Sequence, residues 1–271
     1  MQESKRKTEI REIRSEDAPA LIALWHRVFE DPEALAAEFL RLLPGMGGGV
    51  AAFADGALAG AAYIVTGLRV GEKRAAYLYA VAVHPEYRGL GLGKGLTQKA
   101  AALGRARGAD FVCTLPASGS LYAWYEELLG TRCALYRKKE QLPARFGPAV
   151  SPLSPAEYNA RREALLAGRP HLTLSPEAAE YERFNCRCFG GDFFAVGDGI
   201  AAAYREDDRA IVREVLSPDE SLRRLYAAAA ADAMGCERLT LFSPGGPEDE
   251  PYLAAEPGFL SPDCVWDLAF D

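Results

Sequence analysis

The sequence predicts an α+β fold, a mixed α/β sheet flanked by helices, laid out as two successive units. Three observations carry that prediction. Strand-like and helix-like periods alternate along the chain. An apolar strand at 77–83 runs directly into a glycine-rich turn, His84-Pro-Glu-Tyr-Arg-Gly-Leu-Gly-Leu-Gly-Lys94, that opens a helix. A stretch at 141–152 with three prolines and no clear period separates a first half from a second that repeats its order in outline. At 271 residues the chain has room for two cores.

The elements follow from period and punctuation. Residues 8–14 read as a strand, and Ser15-Glu-Asp17 is expected to cap a helix carrying Leu21, Leu24, Trp25 and Val28 on one face. A second helix follows Asp31-Pro32. Strands at 49–55 and 57–70 form a hairpin around Asp55-Gly56, and the next strand covers 75–83. Beyond the glycine turn a helix begins near Leu92, with Leu96, Ala100 and Leu103 on its apolar side and Gly108 as its C-cap. A buried strand at 111–115, a helix at 118–129 and a strand at 131–139 complete a first domain, 1–140. After the linker at 141–152, a second domain at 153–271 is expected to hold helices at 153–167 and 176–183. A strand and turn at 193–199 and strands at 200–204 and 210–216 follow. The remainder is a helix at 221–234, a strand at 238–242 and closing strands at 258–259 and 264–270.

The glycine turn is where chemistry first shows. Glycines at 89, 91 and 93 remove the Cβ atoms that hold a backbone away from a ligand, and they permit positive φ, so successive N–H groups can converge on one anion. The first-turn amides and positive dipole end of the helix from Leu92 face the same point, and Arg88 and Lys94 add charge at its rim. A Walker A loop is excluded: aligned on Gly93-Lys94 it needs Gly at 88 and Ser or Thr at 95, where the chain has Arg88 and Gly95. A dinucleotide fingerprint fails as well, because Lys94 or Leu96 stands where its third glycine belongs.

Composition narrows the partners. Hydrophobic residues at 49% and charged residues at 25% are ordinary for a globular protein. A net charge of −7 argues against a general nucleic-acid binder and favours cationic substrates. No apolar run reaches membrane-spanning length, and the charged start carries no signal-peptide core, so no membrane partner and a cytoplasmic location are expected. Cysteines at 113, 133, 186, 188, 236 and 264 are scattered and read as buried or incidental thiols; with only three histidines, no metal is expected.

Arg88, Gly91 and Gly93 fit an Arg/Gln-x-x-Gly-x-Gly/Ala loop. With Leu24-Trp-His-Arg-Val-Phe-Glu-Asp31, the strand at 77–83 and Leu121-Tyr-Ala-Trp-Tyr-Glu-Glu-Leu128, residues 8–140 resemble the GNAT superfamily of N-acetyltransferases. The resemblance implies the GNAT acyl-CoA N-acyltransferase fold, with a mostly antiparallel mixed sheet, and transfer of an acetyl group from acetyl-CoA to a primary amine of a small molecule or peptide. It implies that Val81, Ala82 and Val83 hold the pantetheine arm strand-fashion while Arg88, Gly89, Leu90, Gly91, Leu92, Gly93 and Lys94 take the diphosphate. It also implies that Tyr125 is the general acid, with Tyr122 as fallback. A phenol near pKa 10 facing a thiolate near 8.5 makes that proton transfer uphill by only about 2 kcal/mol. The family's glycine four residues after the tyrosine is Leu129 here, with Gly130 one position later. Glu30, Asp31 and Glu38 are open alternatives for the base, as is a chain of waters, and Tyr79 either lines the site or packs in the sheet.

The second half resembles a degenerate GNAT-like unit without a coenzyme loop, because Leu216-Ser-Pro-Asp-Glu-Ser221 has no glycine and gains two carboxylates. Its expected work is to shape the acceptor cleft or to make an oligomer contact, as in a homodimer. The reading from a different class is a non-catalytic acyl-CoA-binding regulatory module.

Overall fold

The structure, a computed structural model, describes residues 7–268 and 270. The chain divides into two compact units. The first comprises residues up to Arg132 together with Ala254–Phe259; the second comprises Cys133–Leu253 with the segment from Leu260 onward. The division falls ahead of the expected boundary at 140. The expected linker is partly sheet, since strand β6 (Arg132–Pro143) and strand β7 (Val150–Pro152) both enter it. Prolines end these strands where a missing N–H costs the ladder nothing.

In the first unit β1 (Thr8–Glu12) leads to α1 (Ala18–Phe29) and α2 (Glu33–Met46), then β2 (Gly47–Ala54), β3 (Ala57–Val70) and β4 (Lys73–Val83). Helix α3 (Leu92–Ala106), β5 (Phe111–Thr114) and α4 (Gly119–Leu129) follow. Strands β1 to β4 are antiparallel neighbours, and β5 joins β4 in parallel through the α3 crossover. The Asp55-Gly56 hairpin forms as expected, with φ of 50° and 84° at its two residues. Ser15–Asp17 differs from expectation: it is a 3-10 turn, and the Asp17 carboxylate accepts from the Arg14 N–H (2.8 Å) and the Arg11 guanidinium (2.7 and 2.8 Å) instead of capping α1.

One face of this sheet buries Ala62, Ile64 and Leu78 under Leu92, Leu96 and Ala100 of α3 and Tyr125 of α4. Burying Leu96 alone is worth about 1.5–3 kcal/mol. Gly104 lets α3 sit close, since a Cβ there would meet the Ala76 Cβ at 2.6 Å. The other face is aromatic: Tyr63 and Tyr79, paired across β3 and β4, carry Trp25 and Phe39 at ring separations of 5.1 to 5.6 Å. Tyr79 therefore packs in the sheet.

In the second unit β6 and β7 are followed by α5 (Pro155–Leu165), β8 (Leu172–Leu174), α6 (Pro176–Cys188), β9 (Asp192–Val196), β10 (Gly199–Glu206) and β11 (Arg209–Leu216). Helix α7 (Arg223–Ala233), β12 (Arg238–Gly245) and the first four residues of β13 (Glu250–Ala255) complete it. Strands β9, β10 and β11 are antiparallel, and β12 joins β11 in parallel through α7. The alanines at 227–231 are all buried and bring α7 against this sheet. Among the described residues, the closing strands expected at 258–259 and 264–270 do not form. Cys264, Val265 and Trp266 are buried, yet Val265 makes only an isolated bridge to His171, and β13 supplies the closing strand instead. Its last residues, Ala254 and Ala255, belong to the first unit, where they pair with Thr114 and Cys113, and the Glu256 carboxylate accepts from the Val112 N–H (2.8 Å) and from Arg105.

Candidate active site

Strand β4 carries the site. Its ladder with β5 runs from Ala75–Phe111 to Leu78–Thr114 and stops there, while β4 itself continues to Val83. On the other side, Tyr63 pairs with Tyr79 and Ala61 with Ala82, so Ala80 and Val81 share a single opposite residue. This is a β-bulge, and Ala80 takes φ of 47°, a left-handed value that costs an alanine roughly 1 kcal/mol or more. The bulge bends β4 where β5 leaves it.

The alternation of the ladder then fixes which groups line the opening. The His84 N–H donates to Ala59 C=O at 2.9 Å, so the main-chain groups of Val83 face away from β3. Counting back through Ala82, paired with Ala61, gives Val81 the same edge. Residues 79–83 thus border a notch whose apex is the Leu78–Thr114 pair.

The glycine loop closes one end. His84 caps a 3-10 turn, Pro85–Tyr87, by accepting the Glu86 N–H at 3.3 Å, and the Arg88 N–H closes on Pro85 C=O at the same distance. The amide of Arg88 is therefore spent internally, and only its side chain is left to serve a ligand. Gly89 and Gly91 have φ of 82° and 74°, and a Cβ on either would project into space with nothing within 4 Å. Gly91 caps α3, and the helix's first internal bond runs from Gly95 N–H to Gly91 C=O (3.3 Å). The amides of Leu92, Gly93 and Lys94 precede that bond and lie outside the helical ladder. Leu90 is 45% exposed, whereas Leu92 is buried in the α3 face of the core. Lys94 is exposed beside them.

Tyr125 reaches the apex of the notch from α4. It is 6% exposed, its ring meets Trp124 edge-on at 4.8 Å, and its phenol lies near Thr114, whose hydroxyl donates to Leu78 C=O at 3.0 Å. Burial raises its pKa, so it holds its proton at neutral pH. Thr114 was not singled out from the sequence. Its signal was the lone hydroxyl in the buried run Phe-Val-Cys-Thr, which needs a partner.

The carboxylates on α1 and α2 have other duties. Asp31 accepts from Trp25 Nε1 at 2.8 Å, and Glu38 is held by Arg41 at 2.8 and 2.7 Å, which keeps its pKa below the usual range. Glu30 sits at the left-handed C-cap of α1. Among the described residues no three His, Cys, Asp or Glu side chains stand together as metal ligands, and no helix is long and apolar enough to cross a membrane.

Residues 9–126 match the family model described as an acetyltransferase (GNAT) domain. They form a GNAT acetyltransferase domain. Structures of GNAT proteins share the wider fold. A GCN5-related N-acetyltransferase from Kribbella flavida superposes with a TM-score of 0.66 at 18% identity, covering 93% of this chain and 71% of its own. One from Anabaena variabilis gives 0.66 at 15%, covering 92% and 72%. Eis1 from Mycobacterium abscessus gives 0.61 at 17%, covering 90% and 73%. No curated protein matches the sequence. The mixed sheet flanked by helices is thus the GNAT architecture, and family and fold together support acyl transfer.

Proposed function

We propose that the GNAT domain transfers an acetyl group from acetyl-CoA to a primary amine by direct attack. The observation that carries this reading is the open edge of β4 beyond Leu78, continuous with the amides at 89–94. The loop suits the group it would hold, because Gly89 and Gly91 take positive φ, which lets successive amides face one anion, and the space beside both residues is open. Acetyl-CoA, when bound, supplies the activated acyl group.

The chain's own residues supply the rest. Val81, Ala82 and Val83 would hold the pantetheine arm as a strand, and an N–H on the notch edge would stabilise charge at the thioester oxygen. The amides from Gly89 to Lys94, including those of Leu90, Gly91, Leu92 and Gly93, with the Arg88 and Lys94 side chains, would bind the diphosphate. Tyr125 would return a proton to the departing thiolate. Burial makes its phenol a weaker acid, so this step relies on alignment and not on acidity. The acceptor is a small-molecule or peptide amine, to which the net charge of −7 is favourable, in a cytoplasmic setting with no metal required. The second unit is read as a degenerate GNAT-like domain that serves the acceptor or a homodimer contact.

Calorimetric titration with acetyl-CoA tests binding: saturable 1:1 association supports the reading, and its absence rejects it. Turnover with a panel of amines, polyamines and peptide N-termini tests catalysis. The 6% exposure of Tyr125 favours a second reading, an acyl-CoA-binding regulatory module without turnover. Binding without thiol release across the panel would select it.

A further inference from the structure

We propose that the GNAT domain carries a second binding site, remote from the β4 notch, for an amphipathic anion: a carboxylate on a hydrocarbon body. The site is a cavity of about 540 Å³, within the range that small-molecule pockets occupy. Its walls are the start of α1, the second half of α2, the start of β2 and Arg107, the C-cap of α3. Gly91 caps the other end of that 15-residue helix, and at 1.5 Å per residue roughly 22 Å separates the two ends. The cavity is therefore no extension of the coenzyme notch.

Its lining names the ligand class. Leu21, Ile22, Leu40 and Leu43 give it an apolar body. Its charged residues are three arginines, Arg14, Arg41 and Arg107, against one glutamate, Glu12. In a chain of net charge −7 this is a local reversal of sign, and it selects an anion. Guanidinium groups match a carboxylate in bidentate fashion, which a neutral amphiphile cannot exploit.

Arg107 is built into the wall. It donates to Gly47 C=O, stands 3.6 Å from the Glu12 carboxylate, and lies against Gly48, where a Cβ would come within 2.7 Å of the guanidinium. The side chains of Arg41 and Arg14 pair with Glu38 (2.7 Å) and Glu16 (3.8 Å) and are 56% and 62% exposed. The Arg14–Glu16 pair is exposed on both sides and exchanges partners readily, so Arg14 can turn to a headgroup, while Arg41 stays held by both Glu38 oxygens and contributes its charge at the rim.

The test is titration of the full chain with decanoate, with decylammonium as the cationic control of equal length. Saturable binding of one decanoate per chain is expected, with decylammonium at least tenfold weaker. Ala37→Trp, which fills the cavity from an exposed position on α2, should weaken decanoate at least tenfold while leaving the thermal midpoint within a few degrees. Arg41→Glu should weaken it several-fold. Absence of saturable decanoate binding up to millimolar concentration, equal binding of decylammonium, or binding that survives Ala37→Trp would overturn the proposal.

Discussion

The segment β4–loop–α3–β5 of the first unit and the segment β11–loop–α7–β12 of the second follow one plan. Each has a strand antiparallel to its predecessor, a helical crossover and a parallel partner. In each the parallel ladder stops just before a bulge: at Leu78 ahead of Ala80 and Val81, and at Val212 ahead of Arg213, the extra residue between the Ala202–Glu214 and Ala203–Val212 pairs. The contents differ. In the first, apolar residues border the opening and glycines leave the amides outward. In the second, the bulged strand carries buried charges: Arg213 donates to Glu182 at 2.9 Å, and Glu214 accepts from Arg162 (3.0 Å) and from the Tyr158 hydroxyl (2.8 Å). The turn before α7 is capped from within, because Asp219 accepts the Ser221 N–H at 2.9 Å. On the proposed reading, a shared topology becomes an anion site only where the donors stay uncommitted and the loop carries no carboxylate.

The sharpest way to break the comparison is in the second unit. Arg162→Met leaves the Glu214 carboxylate buried without its cation, and a loss of about 3–5 kcal/mol is expected in urea unfolding. Acetyl-CoA affinity should not change if the coenzyme belongs to the first unit alone. Gly91→Asp imports the second unit's carboxylate into the first unit's loop, at a residue of positive φ. Calorimetry should show acetyl-CoA affinity lowered about a hundredfold, roughly 2.7 kcal/mol. Tyr125→Phe should lower kcat tenfold to a hundredfold with little change in coenzyme affinity, and a kcat that does not fall would remove the tyrosine from the proton path.

Much of this plan was legible because it rests on local signals. The 3.6-residue period of α1 and α3, the Asp55-Gly56 turn and the spacing of Gly89, Gly91 and Gly93 each act within a few residues. The features that complete the site are not local. The bulge falls on Ala80, a residue with no preference for positive φ, and is set by where β5 ends. The Thr114 link joins two strands. Glu256 meets Val112 across a sequence separation of 144 residues, which no periodicity announces. Arg162 of α5 is fully buried because its partner Glu214 lies on β11, a pairing between distant elements that no local signal marks.

A smaller effect distinguishes the units by pH. Burial, with the Glu214 charge adding to it, pushes the Asp267 carboxyl up to about 7, beside Arg137 and Arg213 at a small cavity. Unfolding returns it to the ordinary range near 4, so between about pH 4 and 7 the folded state holds the extra proton. Stability of the second unit should therefore fall as pH rises through that window and level off above 7. Asp267→Asn should flatten the slope, as measured by urea midpoints across the same range.

The most direct measurement is amide NMR of the full chain during titration with acetyl-CoA. Saturable shifts at Val81, Val83 and Gly89 to Lys94, with the amides at 217–222 unmoved, are the predicted result. Shifts confined to the second unit's turn, or no saturable shift at 89–94, would contradict the claim that uncommitted amides at the β4 notch are what make the first unit a coenzyme site.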